Sequence, residues 1–114
     1  MKIKKIKETN KGKFNKVLNS IRSRIHGVFK KNNIQFDQSY FDILGCTYET
    51  LEKHITDNLK EGMFIENHGE WEVDHIIPFS SFDFNNLEEL KKCCHFTNLQ
   101  PLWLHDNRKK SNKQ

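Results

Sequence analysis

Asp74 and His75 stand side by side in the run Trp71-Glu72-Val73-Asp74-His75-Ile76-Ile77-Pro78. A carboxylate is a hard oxygen donor for a divalent ion, and imidazole is the side chain whose ordinary pKa lets it take a proton near neutral pH. Two later segments carry further polar groups: Asn98-Leu99-Gln100-Pro101-Leu102-Trp103, and then Asn107-Arg108-Lys109-Lys110-Ser111. Hydrolysis of a phosphodiester needs a nucleophile made from water, a means of holding charge on the phosphoryl oxygens, and help for the departing alkoxide. These three segments contain candidates for each role. An Asp-His dipeptide alone in a strand would be an ordinary hydrogen-bonded pair; the order and spacing of three segments make the case for chemistry.

The elements that must position these residues are legible from periodicity. Residues 1–12 are Lys-rich and nearly free of large apolar groups after Ile6, which predicts a basic arm. From Phe14, the positions Val17, Leu18, Ile21, Ile25, Val28 and Phe29 fall on one helical face. Lys13, Lys16, Arg22, Arg24, Lys30 and Lys31 remain for solvent, or for a phosphate backbone. Asn32 and Asn33 end that helix, Gly45 closes a short second one, and Thr47 caps a third that runs to about Leu59. Together, residues 13–59 form a helical support region in which His54 is a surface or packing residue. After a loop marked by Gly62, Asn67 and Gly69, the period changes. Trp71 to Ile77 reads as a strand stopped by Pro78, Leu87 to Cys94 as a short helix, and Asn98 to Trp103 as a second strand that Pro101 confines to an edge. A polar helix follows from Leu104, placing Asn107, Lys110 and Ser111 on one face. Trp71, Trp103 and Phe79 read as core. Neighbours in a regular strand face opposite ways, so Asp74 and His75 serving one site predicts that pairing ends, with a bend, at or near Asp74.

Composition sets limits. A chain of 114 residues suits a single domain, and it carries 19 Lys and Arg against 15 Asp and Glu, a net charge of +4. The first 31 residues hold eleven basic residues and one acid, and the last seven hold four basic residues and no acid, so both ends favour an anionic partner. No apolar run reaches the length of a membrane span, no signal peptide is recognisable, and the expected compartment is intracellular: cytoplasmic, or associated with a nucleoid or nucleus. Cys46, Cys93 and Cys94 make no disulfide framework and no four-cysteine zinc site; mixed ligation by Cys93 or Cys94 with His95 is the remaining zinc reading.

Asp74-His75-Ile76-Ile77-Pro78, Asn98-Leu99-Gln100-Pro101-Leu102 and Asn107 before Lys110-Ser111 resemble the three parts of an HNH endonuclease motif, in the variant that ends in Asn. Upstream, Leu44-Gly45-Cys46, Gly62-Met63 and Glu66-Asn67-His68-Gly69 are similar to free-standing HNH nucleases of phages and large viruses. The resemblance implies an α+β domain: a helical N-terminal half packed on a ββα-metal, or His-Me finger, motif across 71–113. It implies His75 as general base, Asp74 and Asn107 as metal ligands, and Asn98 as the residue that holds the loop and orients the imidazole. Asn107 replaces the imidazole of the commoner form with an amide oxygen, which shifts the expected ion to Mg²⁺ or Mn²⁺. Lys110, Arg108, Lys109, Arg22 and Arg24 are the candidate contacts to DNA, double-stranded by analogy, in homing, phage DNA processing or restriction. One such site cuts one strand; cutting both would take a homodimer or two visits. The runner-up reading is an HNH-like nucleic-acid-binding module without catalysis.

Overall fold

The computed structural model describes residues 2–35 and 39–106, with side chains from residue 12 onward. It is an α+β chain: helices α1 (Lys2–Lys31), α2 (Tyr40–Leu44), α3 (Tyr48–Asp57) and α4 (Leu87–Cys94), and strands β1 (Trp71–His75) and β2 (Leu99–Trp103). Single 3-10 turns lie at Ile65–Asn67, Phe79–Ser81 and Phe96–Asn98. Among the described residues no helix is long and apolar enough to cross a membrane.

α1 follows its apolar period: Phe14, Val17, Leu18, Ile21, Ile25 and Phe29 are all buried. Its helical backbone begins at Lys2, upstream of the start expected near Phe14, so residues 2–12 are helix where the sequence suggested an arm. Lys and Glu are good helix formers, and one interior Gly costs only about 1 kcal/mol, too little to stop a helix packed from Phe14 onward. The C-terminus closes with Asn33 in the left-handed region, φ 55°. Asn33 N–H donates to Lys30 O and Ile34 N–H to Phe29 O, the paired bonds that satisfy the last carbonyls of a helix.

Gly45 and Thr47 cap α2 and α3 as expected, and Ser39 adds a cap at the start of α2. Ser39 Oγ accepts from Phe41 N–H, Thr47 Oγ1 accepts from Thr50 N–H, and Gly45 at φ 73° closes α2. Gly45 has a second reason to be Gly: a Cβ there would lie 2.7 Å from Cδ2 of His95. Ile43, Leu44, Leu51 and Ile55 join the α1 stripe in one core with Met63, Trp71, Val73, Leu90, Cys94 and Leu99. Each aliphatic side chain fully buried there contributes roughly 1.5–3 kcal/mol. Trp71 is fully buried, yet its indole N–H donates to Phe64 O (2.7 Å) and Asn67 Oδ1 (3.0 Å), so the ring enters the core without an unmet donor.

β1 and β2 are antiparallel, in a register from Trp71 opposite Trp103 to His75 opposite Leu99. Leu104 N–H donates to Glu70 O and Ile76 N–H to Asn98 O, so the hydrogen-bonded pairs fall at the even positions of β1. At the odd positions the carbonyls turn out of the ladder. That is why Pro101, which lacks an N–H, fits opposite Val73. Two helices meet the outward carbonyls: Arg24 of α1 donates to Val73 O, and His54 Nε2 of α3 lies 2.9 Å from Leu99 O. The register runs through His75, one residue past Asp74, and the Ile76 N–H adds one further bond, so regular pairing ends near Asp74 as expected.

Candidate functional site

The hairpin end collects the buried polar side chains. Among the described residues, the buried polar or charged ones are Asp74, His75 and Asn98, at 9%, 4% and 8% exposure. Register explains the grouping, because His75 is opposite Leu99 and Asn98 precedes it. Asn98 extends the ladder with its side chain. Its Oδ1 accepts the Ile77 N–H (2.9 Å), and its Nδ2 donates to Ile77 O (3.1 Å) and to Cys93 O at the end of α4 (2.9 Å). One amide thus ties the Ile76-Ile77 segment, the helix before β2 and the strand end together; its partners are Ile77 and Cys93, not the His75 imidazole it was expected to orient. Beyond the tie, Ile76 and Ile77 are about half exposed.

Asp74 and His75 look to different neighbours. Asp74 Oδ1 lies 3.7 Å from Arg24 Nη1, while the His75 ring packs on Phe79 with centroids 4.3 Å apart. Strand alternation keeps the pair on opposite faces, since no bend intervenes at Asp74. That overturns the bend as the device that unites them.

The other expected residues fall in two groups. Asn107, Arg108, Lys109, Lys110 and Ser111 lie outside the described residues. Arg22 and Arg24, expected as contacts to DNA, are half-buried. The Arg22 guanidinium lies about 6 Å from the ring centres of Tyr40 and Phe41, a cation-π contact inside the helical half. Arg24 is held by β1.

The sequence marks His54 as a surface or packing residue and draws no notice to Ser20; both, with His95, prove to be structural tethers. His54 also stands edge-on to Phe96 at 5.3 Å. Ser20 Oγ donates to Glu72 Oε2 (3.2 Å). His95 Nδ1 is 2.7 Å from Thr97 Oγ1 and caps the turn before Asn98. The only sequence signal for His54 and Ser20 was their place at the flank of an apolar stripe.

Comparison with known proteins adds a viral connection and no function. No family model matches the chain, and no solved structure matches it. The chain is similar to two proteins of Acanthamoeba polyphaga mimivirus, both described as uncharacterized. L426 is 34% identical over 94 residues, covering 82% of this chain and 40% of that protein. L246 is 31% identical over 84 residues, covering 73% of this chain and 36% of that protein. The chain therefore spans well under half the length of these curated relatives.

As a metal centre, the described residues contain no group of three or more His, Cys, Asp or Glu placed to hold an ion. Asp74 is the one described donor of the expected pair. A carboxylate joined by a single amide oxygen leaves most of the coordination shell to water and phosphate, which is how Mg²⁺ is ordinarily held, so a sparse oxygen donor set fits that ion. Zinc ligation through the cysteines fits less well. Cys93 and Cys94 are both fully buried, away from an ion's approach from solvent, and their mutual hydrogen bond pushes the Cys93 thiol up while it pulls the Cys94 thiol down, so at most one of the two favours the thiolate. A surface cleft of about 270 Å³ lies elsewhere, between Lys13 and Lys16 of α1 and Ile65, Glu66 and His68.

Proposed function

We propose that the chain is a metal-dependent DNA endonuclease of the HNH type, in its Asn-ended form. The observation that carries this reading is the gathering of Asp74, His75 and Asn98, the buried polar residues among those described, at one end of an antiparallel hairpin. Burying such groups costs free energy unless they are paired, and the partners that offset the cost, Arg24 for Asp74 and three hydrogen bonds for Asn98, also fix these groups in place at the strand end. The viral source of the similar proteins accords with the free-standing nucleases that the motif resembles.

His75 accepts the proton of the attacking water at an imidazole nitrogen. Asp74 and Asn107 are the residues that would hold Mg²⁺ or Mn²⁺, which when bound stabilises charge on the phosphoryl and departing 3′ oxygens. Asn98 keeps the Ile76-Ile77 segment, and with it the end of β1, in a fixed place. Phe79 covers one side of the imidazole and limits its rotation. Lys110, Arg108 and Lys109 contact flanking phosphates. The products carry a 5′ phosphate and a 3′ hydroxyl, as in the family the motif resembles.

The test is nicking of a supercoiled plasmid by purified protein stripped of metal and resupplied with single divalent ions, with the ends mapped. Nicking restored by Mg²⁺ or Mn²⁺ supports the proposal. Cleavage that persists without any divalent ion contradicts the mechanism, and DNA binding without cleavage under every ion leaves a binding module.

A further inference from the structure

α1 touches β1 at two points one helical turn apart. Ser20 reaches Glu72, and Arg24 reaches the next two residues: its Nη1 donates to Val73 O and lies 3.7 Å from Asp74 Oδ1. The Val73 carbonyl belongs to the outward-turned set fixed by strand register, so the hydrogen bond pins the guanidinium to the backbone of β1. The pinned charge sits beside a carboxylate whose side chain is only 12% exposed. Both contacts use Nη1, so a nucleic-acid phosphate would have to share the guanidinium with β1.

We propose that Arg24 is a positioning residue for the Asp74 carboxylate rather than a contact to DNA. The inference rests on the nuclease reading of Asp74 and states what α1 contributes to that site. The second torsion of an aspartate is broad and weakly determined by its own backbone. A cation fixed against the neighbouring carbonyl biases that torsion, holding Oδ1 toward α1. The carboxylate has about four lone-pair directions on two oxygens, so an arginine on one side and a metal ion on the other are compatible. Partners that orient a metal ligand typically change metal affinity or activity 10–100-fold when removed. The same cation also repels a divalent ion, so deleting its charge and deleting its positioning act in opposite directions.

Arg24→Lys separates the two effects, because it keeps the charge but presents it as a point on a shorter, flexible stem. Titration calorimetry of Mn²⁺ into the metal-free, DNA-free chain should show about tenfold weaker binding for Arg24→Lys than for wild type. Metal-free DNA affinity and its dependence on salt should not change. Arg24→Gln, which drops the charge and is too short to span Val73 O and Asp74, is the companion variant should Arg24→Lys fail to fold; it too should bind Mn²⁺ more weakly at constant salt dependence, because a roughly 10–100-fold loss of positioning exceeds the relief of one solvent-screened repulsion. Mn²⁺ affinity at the wild-type level in a folded variant overturns the inference. So does a salt slope lowered by about 0.9, the signature of a lost phosphate contact, in Arg24→Gln, which lacks the charge that Arg24→Lys keeps. Absence of Mn²⁺ binding by the wild-type chain overturns the nuclease reading itself, and this inference with it.

Discussion

The helical half and the hairpin end bury different kinds of side chain. Around α1, α2 and α3 the described buried residues are apolar throughout: Phe14, Val17, Leu18, Ile21, Ile25, Phe29, Ile43, Leu44, Leu51 and Ile55. At the hairpin end a carboxylate, an imidazole and an amide are buried within a few residues of each other in register. Apolar burial is favourable in proportion to area and indifferent to direction, whereas a buried polar group is tolerable only in a particular geometry. One region supplies stability. The other draws on it to hold groups whose use is chemical, and a two-stranded hairpin has little independent stability of its own.

Substitutions should separate the two regions. Leu51→Ala removes a fully buried side chain of α3 and should destabilise the chain by about 2–5 kcal/mol, read from urea unfolding. Cleavage per folded molecule should stay near wild type; a parallel loss of intrinsic activity would show that the helical half is part of the site. Asn98→Ala should cost about 1–3 kcal/mol, because it leaves the Ile77 N–H and the Cys93 carbonyl without their side-chain partner. Here activity should fall by more than the loss of folded protein explains. A variant destabilised to this extent but fully active would place Asn98 with the core rather than with the site.

The smallest effect concerns His68, which stands edge-on to Trp71 at 5.0 Å. Burial holds its pKa below the ordinary imidazole value, with Glu72 pulling weakly the other way. Between about 6.5 and that lower value the unfolded chain binds more protons than the folded one, so stability falls as pH drops through this window. The thermal midpoint of the wild type should therefore fall more between pH 7.5 and 5 than that of His68→Phe, by on the order of 1–2 °C. Equal falls would mean that His68 carries no part of the acid sensitivity.

Legibility differs between the regions for the same physical reason. Helical period, the Thr47 cap and Gly45 are local signals, and α2 and α3 appear where those signals put them. The strands and the end of their pairing near Asp74 were equally plain, but the side-chain rung that Asn98 adds beyond that end is encoded by no periodicity. Arg24 follows Ile21 by one turn and so stands at the flank of the buried stripe. Its spacing could reveal that position, but not that β1 would lie against it. Whether a flanking arginine meets water, DNA or a carbonyl is decided by residues about fifty positions away in the chain.

The central claim is that His75 is the base of a phosphodiesterase, and the most direct measurement compares wild type with His75→Ala in plasmid nicking with Mg²⁺, alongside DNA binding and thermal midpoint. Loss of a general base predicts a rate lower by roughly 10²–10⁴-fold with binding and folding retained. A folded His75→Ala protein that nicks at the wild-type rate would contradict the account.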